Sequence, residues 1–143
     1  MTDEDRSAAE TPQLEANKAV VRQAIARIFN GGDLDAADEL YAPDLAANAK
    51  AWVAPFRESF PDVQVTTVAL VAEGNTVVGH FHCSGTHLGP WLGREPTGRR
   101  FENVDEVYWF TVAAGRITAW WGVEDNRARL KQLGLLPPAE FVG

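Results

Sequence analysis

Residues 76–87 read "TVVGHFHCSGTH", in which polar or small residues alternate with apolar ones. Such alternation is typical of a β-strand with one buried face, because successive side chains point to opposite faces. Three further runs of this kind are "VQVTTVALV" at 63–71, "FENVDEVYWFTV" at 101–112 and "RITAWWGV" at 116–123. Because turn residues separate the runs, the sequence predicts four strands in an antiparallel meander.

Helical periodicity precedes the strands. It starts at Thr11, a predicted N-cap followed by Pro12 at the first helical position, and continues to the Gly31 stop. Asp33 is placed to cap a second, short helix. A third helix is predicted in "NAKAWVAPFRESF", where Pro55 implies a kink or a late start.

Helices followed by an antiparallel meander are typical of the α+β class, in which the helices cover one face of the sheet. We expect residues 11–143 to form a single domain, a cone-shaped α+β barrel with three N-terminal helices packed on a curved antiparallel sheet around an internal cavity. Residues 1–10 are polar, acidic and without periodicity, which predicts a disordered tail.

The composition narrows the possible partners and location of the chain. It has 143 residues and a formal net charge of −7, which fits one compact domain and argues against nucleic acid as a partner. No stretch is apolar enough for a signal peptide or a membrane span, which predicts a cytoplasmic protein that binds no membrane. Cys83, the single cysteine, is predicted to be a small buried residue.

The three histidines lie in or next to the second predicted strand. There His80 and His82 point to the same face as Ser84. One interpretation is a solvated face with ordinary surface imidazoles. Another is a metal site completed by a carboxylate from a different strand. Because no third ligand is obvious, we predict no bound metal.

Asp125 follows the last strand in "WWGVEDNRARLKQLG", residues 120–134. It is well placed to cap a short helix that ends at Gly134, because an Asp before a helical run accepts N–H groups of the first turn. Alternatively, it lies beside Trp121 at an aromatic pocket and acts as a general acid/base. Local sequence leaves both roles open.

Adjacent Trp120 and Trp121 must face opposite sides of their strand, which implies that both sides are covered, one by the pocket or core and the other by a subunit interface. Trp121 has the same strand parity as Asp125 and is the best candidate for a pocket wall. Trp109, on the preceding strand, is a further candidate.

Glu106 shares a strand face with Tyr108 and with apolar residues. A carboxylate there is costly unless it is paired, so Glu106 points into a polar part of the cavity or marks where the strand leaves the core. We include Glu106, Tyr108, Ser84 and His87 among the candidate substrate-binding residues.

The ordered segments "GTHLGPWLGREPTGRRF", "GRITAWWGVED" and "QLG" resemble the SnoaL-like polyketide cyclases, also called ester cyclases, of the nuclear transport factor 2-like superfamily. The resemblance covers the chain from about Asn17 to Gly134 and includes "FNGGDLDAADELYAPD" and "FPDV". Each segment alone is weak evidence for the resemblance, but the ordered set of segments is specific for this family.

This resemblance implies an α+β cone with an apolar cavity, commonly a dimer, and an intramolecular aldol-type ring closure of a polyketide without cofactor or metal. In the family an Asp is the acid/base, and the Asp of its W-x-x-x-D pattern corresponds to Asp125. Related epoxide hydrolases carry an Arg-x-Asp pair where this chain has His80 and His82. The comparison favours cyclisation over epoxide hydrolysis and implies that both imidazoles face the cavity.

The chain also departs from the family before the third helix, where "DLAANAKAW" replaces a longer segment that helps to close the cavity. The resemblance therefore implies a pocket that is more open, or one that the acidic tail or a partner subunit covers.

Together these features predict a homodimeric enzyme of secondary metabolism, such as antibiotic biosynthesis, that cyclises a hydrophobic polyketide-like substrate. Asp125 would remove and return a proton, and His80 or His82 would polarise the acceptor carbonyl or stabilise the enolate. The rivals are an isomerase, hydratase or epoxide hydrolase-like enzyme using the same pocket, a non-catalytic binding protein, and a metal-dependent enzyme.

Overall fold

The computed structural model describes residues 3–136, with side chains from residue 11 onward, as helices that cover one face of an antiparallel sheet. The helices are α1 Asp3–Gln23, α2 Ala37–Leu40, α3 Pro43–Ser59 and α4 Asn126–Gln132, and a π-helical segment, Ala24–Asn30, continues α1 while a 3-10 turn, Leu34–Ala36, precedes α2. The strands are β1 Gln64–Glu73, β2 Thr76–Thr86, β3 Arg100–Ala113 and β4 Arg116–Glu124. The predicted α+β class is confirmed.

The sheet has the order β1-β2-β3-β4 with every neighbouring pair antiparallel, as the meander predicts. Ala114 and Gly115 form the β3–β4 turn with φ values of 51° and 75°. Positive φ at both central residues suits a two-residue hairpin because it matches the twist of the strands. Within the described residues the sheet stays open and does not close into a barrel.

A bulge in β4 decides which of its residues face the helices. Thr111 pairs with Ala119 but Val112 pairs with Ile117, so Thr118 is an additional residue in β4. A bulge of this kind reverses the alternation beyond it. Trp120 therefore lies on the helical side of the sheet, and Trp121, which is 61% exposed, lies on the other side.

The N-terminal helix is longer than predicted. Because α1 begins at Asp3, Pro12 lies inside it, and the predicted helix start at Thr11 is wrong. The alanines and glutamates of this segment are strong helix formers, which explains the extension. The predictions for residues 1–2 and 137–143 lie outside the described residues.

The second and third helices also differ from the prediction. Asp33 makes no capping hydrogen bond within the described residues, and its carboxylate instead lies 3.5 Å from Arg27. Helix α3 begins at Pro43 and runs through Pro55. Proline suits the first helical position because the N–H that it lacks has no partner there.

The core lies between the helices and the inner face of the sheet, by which we mean the face that the helices cover. Phe81 and Phe110 on the inner face and Ile28 under them are fully buried. Cys83 is buried there too, as predicted. No helix in the described part of the chain is long and apolar enough to cross a membrane.

Candidate active site

His80 and His82 lie on the outer face of the sheet, the face without helices. Phe81 and Cys83 beside them are buried, whereas the two histidine side chains are 39% and 36% exposed. The prediction that both rings face the cavity is wrong, because the apolar residues of an alternating strand take the buried face. Both rings instead contact Asp105, whose pKa is lowered by the hydrogen bond with His80.

Two adjoining clefts open on the helical side of the sheet, and Trp52 and Glu124 line both of them. The predicted cavity takes this open form, with cleft volumes of about 230 and 360 Å³. The first cleft is lined by Asn48, Trp52, Tyr108, Trp120, Trp121, Gly122 and Glu124. The second is lined by Trp52, Pro55, Phe56, Glu58, Ser59, Pro90, Trp91, Leu92, Glu124 and Asn126.

Glu106 and Arg129 form a buried ion pair behind Glu124. Glu106 is 3% exposed, Arg129 is fully buried, and the Arg129 Nη2 that bonds Glu106 lies 3.8 Å from Glu124 Oε1. Because β3 and β4 pair Glu106 with Glu124, the two carboxylates lie side by side. Burial, followed by repulsion from Glu124, raises the pKa of Glu106 to about 8 against the opposing effect of Arg129.

Aromatic rings hold the Arg129 guanidinium in place. Its carbon lies 5.4, 5.9 and 4.8 Å from the ring centroids of Phe56, Trp91 and Phe101. A cation over an aromatic face is attracted to the ring, and more so where water is excluded. Arg129 therefore keeps one orientation toward the two glutamates.

Glu106 also borders a small enclosed cavity of about 10 Å³ beside Cys83 and Trp52. This volume is about that needed for one water molecule. Of the two predicted roles for Glu106, the structure supports the one in which it points into a polar part of the interior.

Tyr108 lines the first cleft, and its role in substrate binding stays a prediction. Its ring packs edge-on against Trp52. Its buried hydroxyl has no hydrogen-bond partner within the described residues, and burial raises its pKa. After burial, the negative charges of Glu106 and Glu124 raise this pKa further, so the hydroxyl lies close to both carboxylates.

Asp125 caps α4, one of the two roles that the sequence allows. Its Oδ1 accepts a hydrogen bond from Ala128 N at 3.0 Å, and its side chain is exposed. The residue lies outside the linings of both clefts, whereas its neighbour Glu124 belongs to both. The structure does not bring Asp125 together with the histidines in a cavity.

The other predicted site residues are dispersed. Trp109 and Trp121 stack on the outer face with centroids 5.8 Å apart, so Trp109 is not a wall of the clefts, while Trp121 only borders the first one. Ser84 is also on the outer face, where its hydroxyl accepts the Asn103 N–H. His87 is fully buried beside Phe60, Trp91 and Thr97 and lines neither cleft.

A family model described as SnoaL-like polyketide cyclase matches residues 19–133. The chain belongs to this family. The resemblance noted in the sequence is therefore confirmed, and membership indicates a small-molecule substrate and catalytic activity. A search of curated proteins finds no match.

Solved structures of similar fold agree with this membership. TsrD from Streptomyces laurentii is 25% identical with a TM-score of 0.78, covering 85% of this chain and 97% of its own. AclR from Streptomyces galilaeus, a proposed hydroxylase, is 25% identical with a TM-score of 0.77 and coverages of 87% and 88%. IdmH from Streptomyces antibioticus, a proposed polyketide cyclase, is 26% identical with a TM-score of 0.70 and coverages of 82% and 98%.

Sequence reasoning missed three residues of this SnoaL-like site, Trp52, Glu124 and Arg129. Trp52 lies on a predicted helix, where a tryptophan is by default a core residue. Glu124 has the opposite strand parity to Asp125, and the Thr118 bulge that turns it inward has no clear sequence signal. The signal for Arg129 is its position on a short helix directly after Glu124, which places a cation within reach of that carboxylate.

Proposed function

We propose that this chain catalyses a cofactor-independent, intramolecular aldol-type ring closure of a polyketide-like small molecule in secondary metabolism. The observation that carries the proposal is the position of Glu124, a carboxylate common to both clefts and backed by Glu106 and Arg129. A flexible substrate that occupies both clefts would pass directly beside it.

In the proposed reaction, the Glu124 carboxylate removes a proton from a carbon between two carbonyl groups, which is acidified by delocalisation. The resulting enolate carbon attacks a second carbonyl of the same molecule and forms the new carbon–carbon bond. The alkoxide left on that carbonyl takes the proton back from Glu124. All atoms are conserved, so the product has the same mass as the substrate.

The buried pair supports this proton transfer without touching the substrate. Burial and repulsion from Glu124 raise the pKa of Glu106, so this carboxyl binds a proton more readily than an ordinary glutamate. Arg129 places a positive charge 3.8 Å from Glu124 Oε1 and so orients that carboxylate. We assign Glu106 and Arg129 as positioning residues and Glu124 as the catalytic residue.

In the proposed reaction the aromatic walls of the first cleft add to the rate enhancement that proton transfer by Glu124 provides. Trp52 and Trp120 pack edge-on with centroids 5.6 Å apart and form a rigid apolar surface in the first cleft. Such a wall holds a flexible chain folded, and holding the two reacting carbons in contact can contribute more than the acid/base step. The Asn48 side chain at the same cleft is placed to donate a hydrogen bond to a carbonyl.

The test begins with native mass spectrometry of freshly purified protein, which identifies any small molecule that co-purifies. Synthetic poly-β-ketone thioesters are then incubated with the protein and analysed by liquid chromatography and mass spectrometry. We expect a cyclic isomer of unchanged mass, or one lighter by a single water when the new alcohol is eliminated.

A matched pair of variants identifies the acid/base. Glu124→Gln keeps the size of the side chain but carries no proton, and we expect turnover to fall by about 100-fold or more. Asp125→Asn keeps the helix cap, because Asn caps about as well as Asp, and we expect turnover close to that of the wild type. The reverse result would return the catalytic role to Asp125, and full activity of both variants would contradict acid/base catalysis here.

We further propose that the protein is a cytoplasmic homodimer. Support for the dimer comes from the outer face, where Trp109 and Trp121 form an exposed stack beside Val107 and Val123. Contiguous apolar surface of this kind commonly marks an interface. Light scattering coupled to size-exclusion chromatography gives the molar mass, and a monomer at micromolar concentration would contradict the dimer.

A further inference from the structure

We propose that His80, His82 and Asp105 bind one divalent transition-metal ion, with Zn²⁺ the best match, on the outer face of the sheet. This site lies on the opposite side of the sheet from the clefts and does not depend on the proposed ring closure. The sequence alone offers no evident third ligand and so predicts no metal, but the register of β2 and β3 supplies Asp105 as that ligand.

The three side chains converge on one point. His80 Nε2 lies 2.7 Å and His82 Nε2 lies 3.2 Å from the same oxygen, Asp105 Oδ1. One ligand atom from each of the three residues falls within 4.8 Å of the others. Bonds of about 2.0–2.1 Å to a tetrahedral Zn²⁺ place ligand atoms about 3.3 Å apart, so small side-chain rotations suffice to admit the ion.

The backbone holds these ligands at fixed positions. His82 pairs directly with Asp105 across β2 and β3, and His80 stands two residues away on the same face. Both strands lie inside the sheet with a hydrogen-bonded strand on each side. Ligands on such strands keep their geometry better than ligands on loops.

The donor set selects the class of ion. Two imidazoles and one carboxylate suit Zn²⁺ and its neighbours in the first transition series, whereas Mg²⁺ and Ca²⁺ prefer oxygen ligands. In the single chain, partial exposure of all three side chains leaves a fourth position open, which water or a group of the partner subunit in the proposed dimer would fill. The chain's net charge of −7 also favours a cation over an anion.

The test uses the full chain without a histidine tag, titrated with ZnCl₂ by isothermal calorimetry at pH 7.5 in a non-chelating buffer. We expect one Zn²⁺ per chain, with the dissociation constant raised at least about tenfold in each of His80→Gln, His82→Gln and Asp105→Asn. The control is Glu73→Gln, because Glu73 lies on the same face near Val71 and Val78 but has no imidazole beside it. Its affinity should equal that of the wild type.

Co²⁺ provides an independent readout, since its visible absorption reports imidazole ligands and a low coordination number. The bands should appear in the wild type and in Glu73→Gln and disappear in the three ligand variants, whose folding is checked by circular dichroism. The proposal would be overturned if the wild type shows no saturable binding at millimolar Zn²⁺. It would also be overturned if the three ligand variants bind Zn²⁺ as tightly as the wild type.

Discussion

Asp105 and Glu106 are adjacent residues of β3 that have opposite electrostatic environments. Asp105 is on the outer face, where a hydrogen bond from His80 lowers its pKa. Glu106 is on the inner face, where burial and the neighbouring Glu124 raise its pKa to about 8 although Arg129 is its partner. Each carboxylate has a basic partner, so the partner alone does not set the direction of the shift.

The difference shows that exposure to solvent decides whether burial or the basic partner has the larger effect on the pKa of a carboxyl group. Solvent water stabilises the ionised form of Asp105, and the neighbouring His80 and His82 stabilise that form further. Glu106 has lost its water, and one buried cation shared with a second carboxylate does not replace it fully. The Glu106 carboxyl on the inner face therefore binds a proton more readily than an ordinary glutamate, whereas the Asp105 carboxyl on the outer face binds one less readily.

The largest expected effect comes from removing the shared cation of the inner face. Arg129→Met leaves the buried Glu106 next to the partly exposed Glu124 without a positive partner, and we expect the free energy of unfolding to fall by about 3–5 kcal/mol. Urea denaturation followed by circular dichroism measures it.

The matched control is Arg127→Met on the same helix, where the side chain is exposed. Its free energy of unfolding should stay within about 0.5 kcal/mol of the wild type. Equal losses in the two variants would mean that the buried ion pair is not what distinguishes the inner face.

A second comparison uses the adjacent tryptophans of β4. Trp120 contacts Phe29, Trp52 and Tyr108 on the inner face, so Trp120→Ala should cost about 2–3 kcal/mol, somewhat less than a fully buried tryptophan. Trp121 is exposed in the single chain, so at protein concentrations low enough to keep the chain monomeric Trp121→Ala should cost about 1 kcal/mol or less. Thermal and urea unfolding of both variants at one protein concentration measures the two losses of stability. A larger loss in Trp121→Ala than in Trp120→Ala would contradict the bulge at Thr118, which places Trp120 on the inner face.

Measured per pH unit, the smallest effect is the slope of the free energy of unfolding with pH. Because the folded protein binds the Glu106 proton more tightly than the unfolded chain, its stabilising contribution is complete below pH 4.5 and is lost as pH rises through about 8. Within this window the free energy of unfolding should fall by at most about 1.4 kcal/mol per pH unit. Glu106→Gln should flatten the slope when stability is measured from pH 5 to pH 8.

Asp105→Asn is the control for this slope. The lowered pKa of Asp105 means that its contribution is present above pH 3.8 and is lost only as pH falls below that value. Between pH 5 and pH 8 the Asp105 carboxylate itself therefore adds nothing to the slope, and any change in this variant comes from His80 and His82, which lose their partner. A slope that Glu106→Gln leaves unchanged would show that Glu106 ionises normally in the folded protein.

Much of the fold follows from local pattern. The four alternating runs correspond to the four strands, and "AAG" at 113–115 contains the predicted hairpin turn. The capping role of Asp125 was also open to local reasoning, because a cap depends only on residues within one helical turn. Local reasoning does not locate the start of α1. A proline usually marks the first turn of a helix, but here helix propensity extends α1 from Pro12 back to Asp3.

The sequence by itself determined the class, the order of the strands, the family and the presence of an aromatic pocket, because these depend on periodicity and on residues close together in the chain. Tertiary structure alone decided which carboxylate reaches the pocket. The single additional residue Thr118 turns Trp120 and Glu124 inward and leaves Trp121 outside. Likewise, the register of β2 and β3 joins Asp105 to the two histidines. Both outcomes depend on how strands align across the sheet, a long-range property that alternation within one strand does not contain.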